Sequence, residues 1–153
     1  MKQVITLMGI KLYHHSIDDN KNLGKIIEKS IQSFQIIDFE LNSAGGALAR
    51  KPFLEITNDL WDRTYALNVA GTFNTAQAII PHMIENKAGV IINIASVAAK
   101  AGGAGNSIHY ASSKGAVDTM TMGIAREFAR QGIRCLSISP GVVDTSFHDQ
   151  TPP

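Results

Sequence analysis

A tyrosine and a lysine stand four residues apart in Tyr110-Ala111-Ser112-Ser113-Lys114. On a helix that spacing puts both side chains on one face. An ammonium beside a phenol favours the phenolate, so the pair could act as a general acid and base. The plainer alternative is an ordinary pair on a solvated face. Ser96 ends the run Ile92-Asn93-Ile94-Ala95-Ser96. Its hydroxyl could hydrogen-bond a carbonyl oxygen that gains charge, or it is a simple turn residue. Asn68 sits in Leu67-Asn68-Val69-Ala70-Gly71. Asparagine is disfavoured inside an apolar helix. Either its amide anchors a water suited to proton relay, or backbone groups satisfy it at a helix irregularity. Asn42-Ser43-Ala44-Gly45 offers small residues where a ligand could approach the backbone. Pro140-Gly141-Val142-Val143-Asp144-Thr145 offers backbone groups and the Thr145 hydroxyl for a carboxamide. Both also read as plain turns.

These residues need elements to position them. Short apolar runs alternate with segments of helical period, which predicts β-α-β units and a parallel sheet. Strands are expected at 10–17, 36–41, 89–94 and 133–138. The first helix is expected after Asp18 and Asp19, which offer an N-cap, with Leu23, Ile26, Ile27, Ile31 and Phe34 at helical spacing. A long helical region spans about 58–84, with a kink or break expected at Pro81. Another helix spans about 110–130, and a glycine-rich loop covers 101–105. The architecture is α/β, a doubly wound parallel sheet, and such sheets bind ligands at the carboxyl ends of their strands. Every candidate motif falls at one of those ends.

Size and composition narrow the partners. The chain has 153 residues, enough for one domain with a real core. Its net charge is +1, without a long basic or acidic run, which gives no support for nucleic acid or an anionic membrane as partner. Apolar stretches fall short of the ~20 residues that span a bilayer, and the N-terminal apolar patch lacks the flanks of a signal peptide. One cysteine, Cys135, precludes an intrachain disulfide and fits a reducing cytoplasm. Cys135 reads as a buried small hydrophobe. His14, His15, His82, His109 and His148 show no metal-ligand spacing, so no metal site is expected.

The order of these motifs resembles that of the short-chain dehydrogenase/reductase family. NNAG, a helix asparagine, a strand-end serine, YxxxK and PG stand here as NSAG, Asn68, Ser96, Tyr110 with Lys114, and Pro140-Gly141. The stretches GGAGNSIHYASSKGAV and ISPGVVDTSFHD are similar to 3-oxoacyl-carrier-protein reductase-like and sugar or polyol dehydrogenase members. The resemblance runs from about Gly9 to Thr145. It implies a Rossmann fold, an NAD or NADP cofactor, a small carbonyl or alcohol substrate, and a homo-oligomer built on the helices at 58–84 and 110–130. It implies that Tyr110 exchanges the proton and that Lys114 lowers the Tyr110 pKa and holds the nicotinamide ribose. Ser96 would orient the carbonyl oxygen, and Asn68 would anchor the relay water. Asn42, Ala44 and Gly45 would line the adenosine-ribose side. Pro140, Gly141, Val143 and Thr145 would meet the nicotinamide end. His109 and His148 would stand near the substrate mouth.

The chain also departs from the family's pattern. It has no TGxxxGxG turn, the feature that sets the pyrophosphate on a helix N-terminus. The resemblance places Met1 after the family's second strand and Pro153 before its last. The expectation is therefore a partial nicotinamide-binding domain over 1–153, lacking the first β-α-β unit and the C-terminal strand. In the order 3-2-1-4-5-6 the strand at 10–17 takes place 3, and the strand at 36–41 becomes an exposed edge. Glu40 stands where the family carries an apolar residue, Ser16 where it usually has an aspartate, and Ser43 replaces the second asparagine of NNAG. Two readings of function follow. One is an NAD(P)-dependent oxidoreductase. The other is a non-catalytic truncated remnant that associates with a full-length relative.

Overall fold

The computed structural model describes the backbone of residues 4–8, 11–15 and 20–143, and side chains within 25–143 other than Phe34. The expected N-caps Asp18 and Asp19, together with Ser16, Thr145 and His148, lie outside the described residues. The elements run β1 (Val4–Met8), β2 (Lys11–His15), α1 (Asn20–Phe34), β3 (Phe39–Asn42), α2 (Asn58–Tyr65), a wide helical turn (Ala66–Ala70), α3 (Gly71–Asn86), β4 (Gly89–Ile94), α4 (Ala98–Ala101), α5 (Ile108–Phe128) and β5 (Ile133–Ile138).

Three strands form the parallel sheet, in the order β3-β4-β5. Glu40 pairs with Ile91 and Ile91 with Cys135, while Asn42 pairs with Asn93 and Asn93 with Ser137. The strand expected at 10–17 is a correction. It is not part of this sheet: β2 folds back antiparallel on β1, with Leu7 opposite Leu12. A strand with no neighbour of its own finds one in the preceding residues, since an unpaired backbone edge is costly. The strand expected at 36–41 begins three residues later, at Phe39. Ile37 instead drops into the core, and its N–H donates to His82 Nε2 at 3.1 Å.

One face of the sheet carries the core. Ile27 of α1, Ala76, Ile79, Ile80 and Met83 of α3, and Ile91, Ile133 and Cys135 of the strands pack together. Full burial of side chains such as Ile79, Met83 and Ile91 is worth roughly 1.5–3 kcal/mol each. The other face is less covered. Phe39, Leu136 and Ile138 keep 44%, 51% and 50% of their surface exposed, although parallel sheets generally bury both faces.

Helix α3 continues through Pro81 to Asn86, so the expected break is absent. Ile79, Ile80, His82 and Met83 around the proline are buried, and that packing holds the helix together. The carbonyl that loses its donor belongs to Gln77, on the exposed side where water can serve it. The irregularity falls elsewhere. Between α2 and α3 the Gly71 N–H donates to the Ala66 carbonyl, a one-residue widening of the helix. It lets the consecutive residues Leu67 and Asn68 both turn inward, and such bulges often mark functional sites. The turn into β5 needs Gly132, whose φ is 82°, because a Cβ there would collide with the Lys87 carbonyl.

Candidate active site

The carboxyl ends of β3, β4 and β5 open into a cleft of about 600 Å3. Ser96, Tyr110 and Lys114 line it together with Ser43, Gly45, Pro140, Gly141 and Val143. Ser96 is fixed by the loops on either side of it. The Ala95 N–H donates to the Ile138 carbonyl at 2.7 Å, and the Val97 N–H donates to the Pro140 carbonyl at 3.1 Å. These bonds carry the β4–β5 pairing past the strand ends. The Ser96 hydroxyl accepts from the Ala98 N–H at 3.1 Å and is hydrogen-bonded to Tyr110.

Tyr110 and Lys114 occupy the first turns of α5. Small side chains allow this approach: Ala111 and Ser113 are buried, and Val117 and Thr121 continue the same inward stripe. Lys114 is 4% exposed, and its ammonium donates to the Ile94 carbonyl at 2.6 Å. Burial brings its pKa down to about 8, with Asp118 pulling the other way. An ammonium carries three donors, so hydrogen-bonding capacity remains at the cleft wall. The Tyr110 hydroxyl behaves differently from the sequence expectation. Burial raises its pKa above 10.0, and the Ser96 hydrogen bond opposes that rise.

Asn68 acts as a latch. Its Oδ1 accepts from the Gly46 N–H at 2.9 Å, and its Nδ2 donates to the Gly46 carbonyl at 3.0 Å and to Ser113 Oγ at 2.9 Å. One amide therefore ties the loop after β3 to α5. Gly45 lies in the junction: a Cβ there would stand 2.8 Å from both Asn68 Oδ1 and Lys114 Nζ. The Asn68 carbonyl accepts from Thr72 Oγ1 at 2.9 Å. The side-chain geometry matches the reading of an asparagine satisfied by backbone at a helix irregularity.

Asn42 and Ala44 do not line the cleft. Asn42 turns into the core, where Nδ2 donates to Asn93 Oδ1 at 2.9 Å and Oδ1 accepts from Thr75 Oγ1 at 2.6 Å. Asn93 passes the chain on to Thr121 Oγ1 at 2.8 Å. Ala44 packs with Leu48 against Leu67. Glu40 borders the same polar network and is hydrogen-bonded to Thr75 and Asn42, but its Oε2 has no partner. Burial lifts its pKa to about 7. Burial, with the Glu40 charge second, pushes the Cys135 thiol up to about 11, so this cysteine is an inert core residue.

His109 is fully buried and does not reach the cleft mouth. Its Nε2 lies 2.9 Å from the Ala47 carbonyl and 3.0 Å from the Ala49 carbonyl. Both partners only accept, so Nε2 carries the proton and staples the 47–49 loop to the start of α5. Arg50 and Ser107 line the cleft as well, although their spacing in the sequence did not single them out. Both arrive through loop returns that periodicity does not report. No cluster of metal-binding side chains occurs among the described residues, and no helix among them is long and apolar enough to cross a membrane.

The donor set suits a nicotinamide cofactor: a half-committed buried ammonium, small residues after β3, and the Pro140–Val143 backbone face one cleft. Relatives agree with that chemistry. An uncharacterised oxidoreductase of Staphylococcus aureus (strain USA300) is 36% identical over 139 residues, covering 91% of this chain and 59% of the relative. The chain thus spans about 59% of the length of that curated relative. Among solved structures, ElxO with NADP bound superposes with a TM-score of 0.85 at 30% identity, covering 90% of this chain and 55% of that one. NAD+-bound xylitol dehydrogenase gives 0.83 at 30% identity, covering 90% and 54%. The family model for short chain dehydrogenases matches residues 4–153. With that match across nearly its whole length, this chain belongs to the short-chain dehydrogenase family.

Proposed function

We propose that this chain supplies the catalytic segment of an NAD(P)-dependent oxidoreductase acting on a carbonyl or alcohol carbon. The observation that carries the reading is the meeting of Ser96, Tyr110 and Lys114 in one cleft at the strand ends. The bound nicotinamide would supply or accept the hydride. Tyr110 would give the substrate oxygen its proton, or take it in the reverse direction. Ser96 would donate to the same oxygen and stabilise its developing charge. Lys114 would donate to the cofactor's ribose hydroxyls from its remaining N–H groups, and Pro140, Gly141 and Val143 would meet the carboxamide end. Asn68 would keep the Gly45–Gly46 loop in place for the ligand. A 3-oxoacyl or sugar/polyol substrate, cytoplasmic location and assembly as a homo-oligomer belong to the same proposal.

The test is reduction of a carbonyl panel with NADH and NADPH, run beside Tyr110→Phe. Cofactor oxidation that needs the substrate and falls by about 100-fold or more in the variant supports the reading, since acid–base catalysis contributes ~100–10,000-fold. A second reading, a non-catalytic chain, is favoured by one observation. The Lys114 ammonium is buried and committed in part to the Ile94 carbonyl, a structural use of the residue that needs no turnover. Absence of turnover with both cofactors across the panel would decide for it.

A further inference from the structure

One stretch of chain joins the two residues that meet the substrate oxygen in the proposed reaction. Residues 97–107 run from Ser96, just past the end of β4, to the start of α5, which carries Tyr110. Val97, Ala98, Ala101 and Ala104 of this stretch line the cleft. Ala98 and Ala101 stand three apart in α4 and share one face of it, whereas Lys100 is exposed and absent from the lining. Val97 keeps 45% of its surface exposed, so apolar area stands uncovered directly beside Ser96. The stretch also withholds its backbone donors. The Val97 N–H donates to the Pro140 carbonyl, and the Ala98 N–H donates to Ser96 Oγ. The N–H groups of Ala99, Lys100, Ala101, Gly102 and Gly103 donate to the carbonyls of Ser96, Val97 and Ala98. The Ala104 N–H donates to Ser107 Oγ at 3.5 Å, and Ser107 is the one polar side chain that the stretch adds to the lining. The other polar side chains of the cleft arrive from outside it. A hydroxyl laid on this wall gives up water and meets backbone N–H groups that are already engaged, which is costly. A hydrocarbon group laid there gains by covering apolar surface.

We infer that the substrate of this site carries its carbonyl or alcohol carbon on a hydrocarbon chain or ring, and that Val97, Ala98, Ala101 and Ala104 pack against that group and disfavour polyhydroxylated substrates. This assignment rests on the proposed oxidoreductase reading and narrows the substrate classes left open there. Ser96 and Tyr110 hold the oxygen at the two ends of the stretch, and the apolar wall between them takes the substituent.

A homologous series tests it: 2-butanone, 2-hexanone and 2-octanone, with erythrulose as the hydroxylated counterpart of 2-butanone on the same carbon skeleton. Binding to the purified chain is measured by ligand-observed NMR, with and without NAD+ or NADP+, so that no turnover intervenes. Affinity should rise about three- to fourfold for each added methylene, the equivalent of burying one CH2 group. Erythrulose should bind more weakly than 2-butanone. Ala101→Asp, at an exposed position of α4, should flatten the series and weaken 2-octanone by about tenfold or more. The series on the wild-type chain is a readout independent of any variant's folding. Affinity that is flat with chain length, erythrulose binding as tightly as 2-butanone, no binding of any probe, or a series left intact in folded Ala101→Asp would overturn the assignment. Ketone-dependent oxidation of NADH or NADPH, measured beside the binding, separates the two layers. A rising series without any such oxidation refutes the oxidoreductase reading and leaves the apolar site standing. Oxidation driven by erythrulose in preference to the ketones refutes the substrate class and leaves the oxidoreductase reading standing.

Discussion

Replacing Glu40 with glutamine should change how the stability of this chain responds to pH. Glu40 is 6% exposed, lies in the interior of β3 and leaves Oε2 without a partner. Burial raises its pKa from 4.5 to about 7, while hydrogen bonds from Thr75 and Asn42 act in the opposite direction. Between those two values the folded chain binds more protons than the unfolded one. Stability therefore falls as pH rises through that window, and the cost is complete above pH 7. Linkage with these two values gives a cost of under about 1 kcal/mol at pH 5 and on the order of 3 kcal/mol at pH 8. Urea unfolding of the wild type and Glu40→Gln at both pH values isolates the effect, because contributions of other groups cancel in the comparison. The variant should gain on the order of 2–3 kcal/mol on the wild type between pH 5 and pH 8. A difference between the two proteins that is the same at both pH values would refute the reasoning and mean that Glu40 ionises freely in the fold.

Three further outcomes follow from the geometry. Gly45→Ala should cost about 1–3 kcal/mol in chemical denaturation, because the added methyl meets Asn68 Oδ1 and Lys114 Nζ at 2.8 Å. Asn68→Ala should cost roughly 2–4 kcal/mol and speed amide exchange at Gly46, since the Gly46 N–H and carbonyl lose their partners inside the fold. Lys114 has a folded pKa of about 8, below its ordinary 10.5, so its burial cost is present below pH 8 and relieved as pH rises toward 10.5. Any stability that Lys114→Met gains over the wild type at pH 7 should accordingly shrink at pH 9.5, as read by the same unfolding assay.

The sequence was most legible where a single pattern was buried on a single face. Gly89-Val90-Ile91-Ile92-Asn93-Ile94 and Ile133–Ile138 match β4 and β5 because short apolar runs bounded by turn residues fit strands of a parallel sheet. The order of the three parallel strands followed from the motif order. The hairpin of β1 and β2 was not legible, since an apolar run does not state which neighbour it will pair with. Helical period also hides a one-residue widening, so the turn at Ala66–Ala70 left only Asn68 as its trace. Ser96, Tyr110 and Lys114 were visible because strand ends and helix spacing place them directly. Arg50 was not, because a loop held by His109 brings it to the cleft, and His109 itself read as a mouth residue until its carbonyl partners were seen. The rise of the Tyr110 pKa is hidden from the sequence for a related reason: spacing shows that Lys114 is near, not how deeply the phenol is buried.

The central claim is that the cleft of Ser96, Tyr110 and Lys114 holds a nicotinamide cofactor. Thermal unfolding of the purified chain, alone and with excess NADH or NADPH, tests it most directly. A ligand at 100 times its dissociation constant adds about 2.7 kcal/mol of stability. The account predicts a cooperative transition that moves up with one of the two cofactors and does not move in Lys114→Ala. A transition indifferent to both cofactors, or one that shifts equally in Lys114→Ala, would contradict it.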